Sequence, residues 1–120
     1  MLPRITDMNP QKELDGMQQK CRNLDTMNDE YRKLLIALAD AKLTYDKAYI
    51  KALAEEKVDG TAVSILKEMA KGKIIKLNYE VIIAEAGVKA NREAMANLRS
   101  QIDSYRSRLA WLKAEMFRTE

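Results

Sequence analysis

A chain of 120 residues that is 47% apolar and 32% charged has the length of one domain, with one hydrophobic core or a core shared with a second copy. That balance excludes a disordered tail. Two prolines and four glycines supply too few turns for a β protein, so the expected class is all-α. The formal charge is only +3, and its placement matters more than its size: residues 12–57 carry nine Lys/Arg and nine Asp/Glu, whereas residues 73–120 carry nine Lys/Arg against six acids.

Residues 1–9 read as irregular, and residues 10–120 as a single helical-hairpin domain. Asn9 supplies a side-chain acceptor before Pro10, a residue that helices accept in their first turn, so a first helix is expected over about 10–57. Its apolar residues fall at Leu14, Met17, Cys21, Leu24, Tyr31, Leu35, Leu38, Tyr45, Tyr49 and Ala52, a 3-4 alternation broken at Asn28 and Lys42. Met27, Leu34, Ala41 and Ala48 widen the stripe on one side. Gly16 and the cap-like pair Asp25 and Thr26 leave room for a break near residue 25.

Val58, Asp59, Gly60 and Thr61 form a turn signal, in which Gly60 tolerates positive φ and Asp59 or Thr61 can cap the next helix. A short connecting helix is expected over about 62–71, closed by Gly72 as the residue after its end. The last helix, about 73–118, carries the strongest pattern. Ile74, Leu77, Val81, Ala84, Val88, Asn91, Met95, Leu98, Ile102, Tyr105, Leu109, Leu112 and Met116 keep a 3-4 spacing without a skip, the mark of a left-handed supercoil. The two long helices are nearly equal, on the order of 70 Å each at ~1.5 Å per residue.

Equal arms and a short connection give a long antiparallel coiled-coil hairpin. Setting Tyr49 opposite Leu77, so that facing residue numbers total 126, fills most layers with apolar pairs. Two arms make a thin core, and the stripe of the first helix is wider than one partner helix covers. A homo-oligomer is therefore expected, packed through the edge of Met27, Leu34, Ala41 and Ala48, with Gly87 and Ala94 permitting a close helix approach. Asn91, inside the apolar row, reads as a residue that sets register or oligomeric state.

Little in the chain points to chemistry. Histidine is absent, which removes the commonest general base and metal ligand, so no catalytic, cofactor or metal residues are expected and the chain reads as a non-enzyme. Cys21, the single cysteine, lies on the apolar stripe and reads as a structural thiol. The adjacent acids Asp29 with Glu30 and Glu55 with Glu56 read as solvated face. Arg92, Arg99, Arg106 and Lys113 stand seven apart beside the apolar row. They read first as a flanking charge row, and second as a basic stripe, supplemented by Arg108 and Arg118, for nucleic acid or an acidic protein surface. Trp111, outside the row, is the candidate partner-facing aromatic.

The stretches Tyr31 to Lys42, Tyr45 to Tyr49, Leu66 to Gly72, Leu98 to Asp103 and Trp111 to Glu115 resemble small helical proteins of temperate phages and prophages of Gram-positive bacteria. The resemblance implies an accessory protein of a phage early region, acting near DNA recombination or replication or against a host system. It implies no catalytic residues. A secreted helical hairpin of the kind exported in pairs would show a Trp-x-Gly turn, and Val58 to Thr61 occupies that place. Residues 1–15 lack the apolar segment of a signal peptide and no apolar run approaches a membrane span. The expectation is cytoplasmic, in the host if phage-encoded, with no membrane and no small-molecule substrate. The leading functional reading is an oligomeric interaction protein, an adaptor or inhibitor of a protein partner. The alternative is a nucleic-acid-binding accessory using the basic stripe.

Overall fold

The computed structural model describes residues 9–118. Of the expected irregular segment, residues 1–9, all but Asn9 lies outside the described residues. Among those described, the chain is all-α: helix α1 spans Pro10–Val58, a 3-10 turn Val63–Ile65 leads into α2, Leu66–Lys73, and α3 spans Ile75–Arg118. No break occurs near residue 25. Thr26 donates its hydroxyl to the Arg22 carbonyl at 3.2 Å, a bond made inside the helix and not at a cap.

Helix α1 starts as the sequence indicates. The Asn9 carboxamide oxygen accepts the Gln11 N–H at 3.0 Å and the Lys12 N–H at 3.4 Å, while the Asn9 carbonyl accepts the Glu13 N–H at 3.0 Å. These bonds satisfy donors that the first turn leaves without partners. The helix ends at Gly60, the only described residue of positive φ, at 78°. The Thr61 N–H donates to the Glu56 carbonyl at 3.1 Å and the Gly60 N–H to the Lys57 carbonyl at 3.2 Å, the paired bonds of a Schellman motif. Neither Asp59 nor Thr61 caps the next turn, whose first residue has no side-chain cap. Gly72 lies within α2 and does not close it.

The described residues form two compact units, 31–90 and 9–30 with 91–118. The first is a closed helical hairpin. Its core is Ala52, Ala70 and Ile74, packed by Tyr45, Ala48, Tyr49, Leu53 and Leu77. The rings of Tyr45 and Tyr49 lie stacked at 6.2 Å between centroids. Leu34 packs on Gly87: a Cβ built there would meet its methyl at 3.7 Å, so the missing side chain admits the leucine. On the flank, Lys42 reaches Glu85 at 3.8 Å.

In the second unit the two helix ends run antiparallel, with Met95, Ile102 and Leu112 buried. Gly16 lies against the Tyr105 ring, where an added Cβ would meet the hydroxyl at 2.8 Å. Arg108 bonds Glu13 at 2.8 Å and lies over the Tyr105 ring, 4.4 Å from its centroid.

Facing residue numbers total 121 at Gly16 with Tyr105 and at Leu34 with Gly87 and 127 at Lys42 with Glu85, on either side of the expected 126. The two flanks of α1 differ in how they meet α3. Leu35 and Lys42 are exposed, and Leu34, Ala41 and Ala48 are half-buried in their stead, because Gly87 makes room for Leu34 while Lys42 stays at the rim with Glu85. Every position of the long α3 row is buried or half-buried except Met116.

Candidate interaction surfaces

The connection end of the hairpin holds the most buried charge among the described residues. Glu56 is 4% exposed. Its carboxylate accepts the Thr61 hydroxyl and pairs with Lys73 at 2.8 Å, while Lys73 also lies 3.6 Å from Glu55. The Lys73 ammonium beside Glu56 and the Thr61 hydroxyl hold its carboxyl below the ordinary value of 4.5. The same pairing raises Lys73 above 10.5. Reading Glu55 and Glu56 alike as solvated face is corrected here. Position 56 continues the row of Tyr45 and Ala52 past its last apolar member, and the Schellman turn brings Thr61 back onto it.

Each residue of the expected oligomer edge is half-buried: Met27, Leu34, Ala41 and Ala48. Leu34 meets Gly87 and Ala48 joins the packing around Ala52, Ala70 and Ile74. Leu34 and Ala48 thus have contacts inside the chain.

Apolar surface remains elsewhere on the closed hairpin. Ile36, Leu43 and Ile50 stand seven apart on α1 and are 62%, 52% and 68% exposed. On α3, Ile75, Tyr79, Ile82 and Ile83 are exposed too. Around the connection, Val58, Val63, Ile65 and Met69 are exposed, and a cleft of about 460 Å³ opens between Ile50, Leu53, Ala54, Val63 and Leu66, rimmed by Lys57 and Lys67. Both long rows are readable in the sequence at their 3-4 or seven-residue spacing, but the longer seam rows draw attention away from them.

The basic stripe divides. Arg92, Arg99, Arg106 and Lys113 are exposed, and Arg106 lies 3.5 Å from Asp103 on its own helix. Arg108 is instead half-buried against Glu13 and Tyr105. Arg118 lies 3.6 Å from Glu115. Trp111 is exposed, as are Met116 and Phe117 near the end of the helix.

Polar and reactive groups add little. Cys21 is a half-buried free thiol. The Asn91 carboxamide oxygen is buried with no hydrogen-bond partner. Among the described residues no three His, Cys, Asp or Glu side chains converge as a metal site, and no helix is long and apolar enough to cross a membrane. No protein-family model, no curated protein and no solved structure matches this chain.

Proposed function

We propose that the chain is a non-enzymatic, cytoplasmic interaction protein, an antiparallel coiled-coil hairpin that self-associates and presents outer helix faces to a protein partner as an adaptor or inhibitor. The observation that carries this reading is the apolar surface left on residues 31–90 after α1 and α3 have packed: Ile36, Leu43 and Ile50 on one helix, Ile75, Tyr79, Ile82 and Ile83 on the other. A helix apolar on two faces belongs inside a larger helical assembly, and exposed patches of that kind mark interaction sites. The resemblance to helical phage proteins fits an accessory role of this sort. Light scattering on a size-exclusion column at micromolar concentration should give a mass above 13.7 kDa; a strictly monomeric chain overturns the reading.

A second reading rests on a different observation, the exposed row of Arg92, Arg99, Arg106 and Lys113. In it the chain is an accessory in phage DNA recombination or replication that contacts the phosphate backbone. Replacing Arg92, Arg99 and Arg106 by glutamine should weaken DNA binding and flatten its salt dependence by up to roughly one unit of logarithmic slope per lost phosphate contact. Absence of binding by the parent chain at low salt ends it.

A further inference from the structure

We propose that the outer stripe of α3, formed by Ile75, Tyr79, Ile82 and Ala86 with Ile83 at its edge, is a two-fold self-association site that takes the same stripe of a second copy in antiparallel orientation. The proposal rests on the self-associating reading above and assigns the face it uses.

The stripe is a seam in its own right. Positions 75, 79, 82 and 86 alternate by four and three residues, and at ~100° per residue they centre on the side of α3 opposite the row that packs on α1. Ile75 is 70% exposed, Tyr79 63%, Ile82 52% and Ile83 54%. Side chains of this size, each more than half exposed, offer roughly 400–500 Å² of apolar surface, within the upper range of the largest patch on a monomer. Complete burial of both stripes removes roughly 800–1,000 Å² from water, the lower limit for specific association. The complex should therefore be of micromolar rather than nanomolar strength.

Size and charge select the occupant. In an antiparallel pair whose facing numbers total about 161, Tyr79 meets Ile82 of the second copy and Ile75 meets Ala86, each twice by symmetry, so that apolar side chains fill every layer of the stripe. Lys76 then lays its stem along Ile83 of the second copy and Asn78 approaches Glu85, so no like charges meet at the flanks. A parallel pair would set Tyr79 on Tyr79 and Ala86 on Ala86, crowding one layer and leaving another underfilled. The exposed charges along the stripe, Lys76, Glu80, Glu85 and Lys89, sum to zero. An anionic membrane calls for a helix whose polar face is rich in Lys and Arg, and a strongly acidic or basic partner calls for the opposite excess. Neither is present here. An isologous contact needs only that the patch complement itself.

The test uses the full chain and its Ile82→Glu variant, with Ile36→Glu on the outer row of α1 as the control, in sedimentation equilibrium with helicity checked by circular dichroism. Ile82→Glu should weaken self-association by about thirtyfold or more, the effect of losing a central contact, and Ile36→Glu should not. A self-associating parent unaffected by Ile82→Glu overturns this face while leaving the self-associating reading intact; a monomeric parent overturns both. Independently of how that variant folds, a Tyr79→Cys chain mixed with an Ile82→Cys chain, both carrying Cys21→Ser, should form a disulfide-linked pair faster than either chain alone. Equal rates overturn the antiparallel geometry.

Discussion

Residues 31–90 and the unit built from residues 9–30 and 91–118 are held together by opposite means. The first is closed by a short connection: a Schellman turn, a buried carboxylate tied to Lys73 and Thr61, and a core of small and branched side chains at Ala52, Ala70 and Ile74. The second has no connection of its own. Its two helix ends meet across 95 residues of sequence, as Glu13 and Arg108 do, and are held by Met95, Ile102, Leu112 and the contacts of Tyr105. Their outsides differ as well. The closed hairpin leaves isoleucine, leucine and tyrosine exposed, whereas the helix ends expose the arginine row beside Trp111, Met116 and Phe117. Loop-closure entropy makes the difference one of dependence, because contacts distant in sequence form at lower cost once nearer contacts have drawn the chain together.

The largest effect expected from this asymmetry comes from emptying each core in turn. Ile74→Ala and Ile102→Ala each remove a buried branched side chain, 8% and 4% exposed, and each should cost about 2–4 kcal/mol locally. Their reach should differ. Hydrogen exchange should show Ile74→Ala loosening both units, since opening the hairpin restores the full closure cost to the helix ends. Ile102→Ala should raise exchange within 9–30 and 91–118 while residues 31–90 keep the protection of the parent. Equal loosening of both units by Ile102→Ala would mean that the chain unfolds as one body and that the distinction has no energetic content.

The asymmetry also explains what could be read in advance. The seven-residue rhythm of α3 is legible because nearly every position of its row meets α1, and the start of α1 is legible because Asn9 and Pro10 are local signals. Local signals also explain Gly60, which no other described residue matches in φ. The flank of α1 that packs is not legible. It depends on Gly87 admitting Leu34 and on Lys42 keeping to the rim beside Glu85, a choice between two flanks of one row that periodicity alone leaves equal. Glu56 escapes for the same reason: an acid next to an acid reads as solvated until the turn brings Thr61 and Lys73 onto it. For the candidate surfaces the pattern contains the outer rows of isoleucines, but their exposure follows only from knowing which flank of α1 is covered.

Smaller effects of opposite sign are expected at Asn91 and at two glycines. Asn91→Leu removes a buried oxygen that has no partner, and should stabilise the unit of helix ends by about 1 kcal/mol, seen as a higher urea midpoint. Gly72, inside α2, has nothing within 4 Å of an added Cβ. Gly72→Ala should therefore gain up to ~1 kcal/mol of helix propensity in the closed hairpin. Gly16→Ala has the same propensity to gain but sets a Cβ 2.8–2.9 Å from the Tyr105 ring, which Arg108 covers on its face. It should destabilise, and Tyr105→Leu in the same chain should restore the gain. A stabilising Gly16→Ala alone would show that the ring yields freely and that the helix ends are packed more loosely than the hairpin.

The smallest effect is expected from pH, and it should fall on the closed hairpin. Glu56 has a folded-state pKa below 4.5, through its bonds from Lys73 and Thr61, so its contribution is complete above the unfolded value and is lost as pH falls through the folded one. Lys73, raised above 10.5 mainly by the same bond to Glu56, contributes fully below its unfolded value and loses that contribution as pH rises through the folded one. Stability from this pair is therefore flat between about pH 5 and 10 and declines on both sides. Glu56→Gln removes the charge at the centre of the pair, and its stability deficit against the parent should be constant across that plateau, begin to shrink below pH 4.5, and go on shrinking as pH falls through the lower folded-state value, where the parent's carboxyl is neutralised too. Exchange at residues 31–90 measured near pH ~7 and again near pH ~3 decides the matter. A deficit that does not shrink in acid would mean that the carboxamide fails through shape and not through charge, and that the connection end is closed by its Schellman turn alone.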